Sequence, residues 1–197
     1  DTFLRYNYPE IGRAAVQVLE RLGYEVLVPD VTCCGRPMIS KGLLATARRQ
    51  AEENVRRLLP FALAGVPIVG CEPSCILTFR DEVPDLLPGE DTRQLATQTF
   101  LVDEFLFRHA QQNGWLAPAA GKRALLHGHC HQKAIVGTRA AVGVLQAAGF
   151  EVDVVDSGCC GMAGSFGFER EHYDISLAMG ERGLLPTVRQ APPDVEI

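Results

Sequence analysis

The sequence has no dense run of lysine and arginine. Its 19 basic residues are outnumbered by 24 acidic ones, for a formal charge of −5, which argues against a nucleic-acid surface. No apolar stretch is long enough to span a bilayer. The longest, Leu58 to Cys71, is broken by Pro60, Gly65 and Pro67 and falls short of the roughly 20 residues required. No secretory leader is visible. The glycines at 161, 164 and 167 lack the Gly-Lys-Ser/Thr ending of a phosphate loop, which excludes that motif. No catalytic acid, base or substrate pocket is legible. Cysteines number seven, an odd count, and they cluster. That suits a reducing compartment and ligand thiolates better than a disulfide framework.

What the chain does have is Cys-Cys-Gly, twice: Cys33-Cys34-Gly35 and Cys159-Cys160-Gly161. Adjacent Cα atoms stand about 3.8 Å apart, closer than the roughly 4.4–6.8 Å an ordinary disulfide spans. Vicinal cysteines are instead well placed to aim two thiolates at one metal centre from a single loop.

The doublets belong to an internal duplication. With Arg13 set on Arg139 and no gap, Arg13-Ala14-Ala15-Val16 meets Arg139-Ala140-Ala141-Val142, and Gly23-Tyr24-Glu25-Val26 meets Gly149-Phe150-Glu151-Val152. Asp30 meets Asp156, the triplets coincide, and Leu58-Leu59-Pro60 falls on Leu184-Leu185-Pro186. Cys130 has Leu4 opposite it, and Cys75 falls opposite a position just beyond Ile197. The opening Asp1-Thr2-Phe3 reads as the end of a strand, and Asp194 to Ile197 as the start of one. The expectation is a piece of a longer polypeptide.

The first copy reads as a helix from Pro9, stopped by Gly23, and a buried strand over Tyr24 to Val28. A helix follows over about Gly42 to Ala64, kinked or ended at Pro60, then a strand over Val66 to Gly70. Ile76 to Leu87 reads as a short helix interrupted at Pro84, Pro88 to Thr92 as a flexible join, and Leu95 to Gln112 as one amphipathic helix. Trp115 to Gly121 is a linker. The second copy reads as a strand over Ala124 to Gly128, a helix over Ile135 to Ala148, a strand over Phe150 to Val155 and a helix over His172 to Arg189. The fold class is therefore α/β: an internally duplicated three-layer fold with parallel sheets, its sites in loops at strand ends. The expected divisions are a first repeat over 1–90, a connecting helix and linker over 91–122, and a second repeat over 123–197.

Iron–sulfur clusters need several converging thiolates. The second copy offers Cys130, Cys159 and Cys160, and the first offers Cys33, Cys34 and Cys75. Cys71, His129 and His131 are additional candidates. Zinc is the competing metal, especially in the first copy, since three Cys and one His form a structural zinc set. A thiol–disulfide oxidoreductase is a third reading, opposed by the strain of a vicinal disulfide. His127, His129 and His131 alternate and would face one way on an extended segment. They suit a metal or redox-linked proton role, or simple bonding to loop backbone. Arg36 and Lys41 suit either an anionic partner or cluster charge, or plain solvation.

These motifs resemble the cysteine-rich CCG domains of the heterodisulfide reductase B subunit. Cys33-Cys34-Gly35-Arg36-Pro37, Glu72-Pro73-Ser74-Cys75, His127-Gly128-His129-Cys130-His131-Gln132-Lys133 and Cys159-Cys160-Gly161-Met162-Ala163-Gly164-Ser165-Phe166-Gly167 are closer still to one branch. They resemble the C-terminal iron–sulfur region of FAD-linked 2-hydroxyacid dehydrogenases of the D-lactate and glycolate oxidase type. The resemblance implies an electron-transfer part of an oxidoreductase, not a complete catalyst, with a cluster of the 4Fe-4S type. It places FAD on a separate flavin domain or subunit, and a quinone, cytochrome or other carrier as electron acceptor. It also implies a cytoplasmic location, peripheral at the inner membrane face. The sequence departs from the family pattern at Leu4, in the three residues between Cys71 and Cys75, and in lacking the second copy's late cysteines.

Overall fold

Residues 1–114, 121–164 and 166–197 are described by a computed structural model, without the side chain of Phe3. The linker expected at 115–120 and Ser165 of the second glycine run lie outside them. Two compact units are present, Asp1–Phe105 and Leu106–Ile197.

In the first unit, Asp1 opens a helix rather than closing a strand. Its carboxylate accepts from the Leu4 amide at 2.9 Å and caps α1 (Thr2–Tyr6). Helix α2 (Pro9–Arg21) has proline at its start, Glu10 in its first turn and Arg21 in its last, each matched to its terminus. Gly23, at φ +89°, ends it. The stretch 24–28 has no regular secondary structure and belongs to no sheet, correcting the strand expected there. Its apolar residues are present, but no neighbour pairs with it among the described residues.

Helix α3 (Arg36–Ser40) follows the first doublet. Helix α4 (Leu44–Leu63) buries Ala47, Ala51, Asn54, Val55, Leu58 and Ala62 along one face, the three-to-four spacing of a core-facing helix. It runs through Pro60 for three more residues. So near the C-terminal end, proline forfeits one hydrogen bond without stopping the helix. Strand β1 (Ile68–Gly70) leads to α5 (Pro73–Leu77) and α6 (Glu82–Leu86). Pro84 lies in the first turn of α6, where its missing N–H costs nothing.

The expected flexible join at Pro88–Thr92 is instead braced. Buried Thr92 bonds the carbonyls of Leu87 at 2.8 Å and Gly89 at 3.1 Å, and α7 (Glu90–Thr97) begins there. The single helix expected over 95–112 is two helices with a strand between them: α7, β2 (Thr99–Leu101) and α8 (Val102–Asn113). Strand β2 pairs in parallel with β1, from Ile68 with Thr99 to Gly70 with Leu101.

The second unit is built on β3 (Lys122–Leu126), flanked in parallel by β4 (Phe150–Val154) and β5 (Val195–Glu196). The expected helix over 135–148 is α10 (Arg139–Ala147); a separate short helix not expected from the sequence, α9 (Cys130–Ile135), precedes it, with Gly137 at φ +71° between them. That over 172–189 is divided into α11 (Tyr173–Gly180) and α12 (Leu184–Gln190). Both units are thus mixed α/β with short parallel sheets. No described helix is long and apolar enough to cross a membrane.

Candidate metal centre

The two doublets make the same turn. Gly35 sits at φ +91° and Gly161 at φ +92°, the left-handed region that glycine enters without a Cβ clash. In each copy the glycine amide is turned back on the first sulfur of the pair. Gly161 N–H donates to Cys159 Sγ at 3.3 Å, and Gly35 N–H bonds Cys33. The Arg36 amide bonds Cys34. Backbone donors aimed at sulfur favour the thiolate, and they tune the potential of any iron–sulfur centre it holds.

In the first unit Cys34 is buried and touches both Cys33 and Cys75. Cys75 reaches it from the first turn of α5, where the Glu72 carboxylate accepts from the Cys75 amide at 2.6 Å. Gly70 is needed beneath, because a Cβ there would lie 2.7 Å from Ile76 Cβ. Without metal, Cys33 and Cys34 resist ionisation. The hydrogen bond with Cys34, then burial, push Cys33 above the ordinary thiol range. The hydrogen bond from Cys33 lowers Cys34, but the bond to Cys75, burial and the Cys75 charge outweigh it and push Cys34 up to about 12. Burial raises Cys71 too. A bound cation reverses this, since a metal-coordinated thiol is deprotonated.

Asn54 of α4, fully buried, holds this loop in place and was not singled out from the sequence. Its amide donates to the Cys33 carbonyl at 2.9 Å, and its oxygen accepts from the Thr32 amide at 2.9 Å. The available signal was a polar residue on the apolar face of α4. Gly180 occupies the equivalent place in the second copy, where a Cβ would come 3.2 Å from the Cys160 carbonyl. Arg36 is paired with Glu82 of α6.

In the second unit β3 and β4 run parallel, so the loops reaching Cys130 and the Cys159–Cys160 pair leave one edge of the sheet. Cys130 is the exposed first residue of α9. Lys133, three residues on, donates to the carbonyl of Ser157 at 3.0 Å. His127 lies 3.1 Å from Ser157 Oγ. Burial, then the charge of Lys133 and the proximity of His129, keep the His127 ring below the ordinary histidine range. The three histidines do not face one way. His129 caps α9, its ring accepting the His131 amide at 3.1 Å, and His131 lies within the helix. The alternation fails because the extended segment ends at His129. Gly161 is fixed by sterics as well as by φ: a Cβ there would sit 2.1 Å from the Ser176 carbonyl oxygen.

The donor set fits a thiolate-bound centre. A tetrahedral zinc with Zn–S bonds of about 2.3 Å needs sulfurs about 3.8 Å apart. Among the described residues no three thiol sulfurs lie within 4.8 Å of one another. The Cys33–Cys34–Cys75 set is therefore more open than a closed single-ion site.

The profile of the cysteine-rich domain family matches residues 2–80 and 126–185. The anaerobic glycerol-3-phosphate dehydrogenase of Escherichia coli (strain K12) has a subunit that is 32% identical over 182 residues, covering 90% of this chain and 46% of that protein. The D-2-hydroxyglutarate dehydrogenase of Pseudomonas putida is 30% identical over 186 residues, 92% of this chain and 18% of that protein. Lactate utilization protein A of Geobacillus thermodenitrificans is 30% identical over 169 residues, 81% of this chain and 68% of that protein. The chain thus spans about half the length of the first of these and under a fifth of the second. No solved structure matches it.

Proposed function

The chain belongs to the cysteine-rich CCG domain family, in two copies, and from that premise we propose that it is the iron–sulfur electron-transfer module of a FAD-linked 2-hydroxyacid oxidoreductase. The observation that carries this reading is the contact of buried Cys34 with both Cys33 and Cys75, in a turn repeated at Cys159–Cys160. The proposed ligands are Cys130, Cys159 and Cys160 in one copy, and Cys33, Cys34 and Cys75 in the other. Cys71, His129 and His131 stand by as further donors. The proposed group is a 4Fe-4S cluster, which supplies one-electron redox chemistry at a potential set by its surroundings.

The chain's own residues aim the sulfurs and seat them. The glycine amides donate to the first sulfur of each pair, Asn54 fixes the first loop, and Lys133 fixes the second. Electrons would arrive from a flavin domain or subunit carrying FAD and leave to a quinone, cytochrome or other carrier. Two relatives support this setting by name, one a dehydrogenase subunit and one a 2-hydroxyacid dehydrogenase. The finer architecture goes with the reading: a duplicated three-layer fold, with repeats over 1–90 and 123–197 joined by 91–122, working in the cytoplasm at the inner membrane face.

Iron, acid-labile sulfide and zinc measured on anaerobically purified protein test the reading. Iron with sulfide, and visible absorption that bleaches on reduction, are expected. Zinc alone, which has no redox chemistry, would replace it with a structural metal-binding module.

A further inference from the structure

Lys133 lies three residues after Cys130 in α9, a spacing that sets the two on one face of the helix. Its half-buried side chain leaves the helix over Gly128, where a Cβ would lie 3.1 Å from Lys133 Cγ. The ammonium donates to the carbonyl of Ser157 at 3.0 Å and to that of Gly158 at 3.5 Å. The Gly158 carbonyl belongs to the peptide that enters Cys159. One side chain therefore joins the helix that begins with Cys130 to the loop that carries Cys159 and Cys160.

The first copy braces the same point with a different group. In the ungapped register Gly158 falls on Thr32, and there Asn54 donates to the Thr32 carbonyl at 3.5 Å and the Cys33 carbonyl at 2.9 Å. Asn54 itself falls on Gly180, and Lys133 on Asn7. The two braces thus come from different helices, and they differ in charge. Asn54 is neutral, and Arg36, the cation next to the first doublet, is paired with Glu82. Lys133 is held by carbonyls, and among the described residues no carboxylate pairs with it. Carbonyl dipoles fix an ammonium in place without cancelling its charge. A compact cation held in this way favours whichever state of a neighbouring group is the more negative. An iron–sulfur centre becomes more negative by one charge when it takes up an electron, and its potential follows the charge around it.

We propose that Lys133 is a positioning residue of the second centre: it ties the Cys130 helix to the Cys159–Cys160 loop, and its uncancelled charge raises the reduction potential of the centre held between them. The inference rests on the iron–sulfur reading above. It adds that the two copies are electrically unlike, one clamped by a cation and the other by a neutral amide.

The test compares the unsubstituted protein with K133R, which keeps the charge, K133Q, which keeps only an amide donor, and K133M, which keeps neither. In the iron-loaded protein, redox titration followed by visible absorption is expected to show one midpoint lowered in K133Q and K133M. The fall should be about tenfold in the reduction equilibrium, or about 59 mV for a one-electron step. K133R should stay near the unsubstituted value, and any midpoint belonging to the first copy should not move. A brace without an electrostatic role would leave the potential unchanged wherever iron is retained, and that result overturns the charge assignment. So does a fall in K133R equal to that in K133M. Iron lost from both neutral variants and kept by K133R supports the proposal, while iron lost from all three overturns it. In the metal-free protein, amides 157–161 should exchange about tenfold faster in K133M than in the unsubstituted chain or K133R. Unchanged exchange there overturns the clamp. Zinc, or no metal, in the unsubstituted protein is a failure of the iron–sulfur reading. The claim about potential then falls with it, and the exchange measurement decides the clamp by itself.

Discussion

Asn54 has no solvent access, and its amide bonds the Thr32 amide and hydroxyl and the Cys33 carbonyl. Asn54→Ala removes the side-chain partner of the part-buried Cys33 carbonyl and Thr32 N–H. It is expected to lower the stability of the metal-free protein by about 2–3 kcal/mol in urea denaturation. Cys34 gives a prediction in pH. Its thiol is raised from the ordinary 9.0 to about 12 in the fold. The stability this contributes is complete below pH 9, where folded and unfolded thiols are both protonated, and is lost as pH climbs from about 9 towards 12, where the unfolded thiol ionises first. Denaturant midpoints of the metal-free protein should fall over that window. At pH 8 Cys34 should alkylate about a thousandfold more slowly than an unperturbed cysteine, following its thiolate fraction. Mass spectrometry of labelled peptides checks this.

The two Cys-Cys-Gly turns are alike in backbone and unlike in surroundings, and they separate under one substitution. Gly35→Ala meets only the left-handed φ, its Cβ standing 3.5 Å from the nearest atom, and is expected to cost about 1–2 kcal/mol. Gly161→Ala meets the same φ and a carbonyl oxygen at 2.1 Å. It should cost well over that, seen as a lower thermal midpoint or loss of the folded second unit. The paired loops were legible in the sequence, as was the duplication, because both rest on side-chain identity; the left-handed turn at each glycine came from the structure. Strand β2 was not legible. Thr99–Leu101 is three residues long between two helices, too short for an alternating pattern to show, and only its pairing with β1 makes it a strand. Tyr24–Val28 failed in the opposite sense, having strand residues without a paired neighbour. Asn54 was hidden because its role depends on a loop about 20 residues away in sequence.

Each unit carries its own doublet and its own supporting cysteine, so loading should divide along the same line. Replacing Cys33, Cys34 and Cys75 together by serine should remove the iron of the first copy and leave that of the second. Replacing Cys130, Cys159 and Cys160 should do the reverse. Iron per chain and the visible spectrum of each triple variant read this out, and loss of all iron from either variant would refute independent sites. The membership in the cysteine-rich family covers both copies, yet the braces beneath the doublets differ. A buried asparagine clamps one, while a glycine, with a lysine reaching across from the neighbouring loop, serves the other. Ancestry has kept the instrument and changed its tuning pegs. A mutation under one pair of sulfurs can adjust that voice while its twin holds pitch, which gives a duplicated carrier two independently adjustable steps for its electrons.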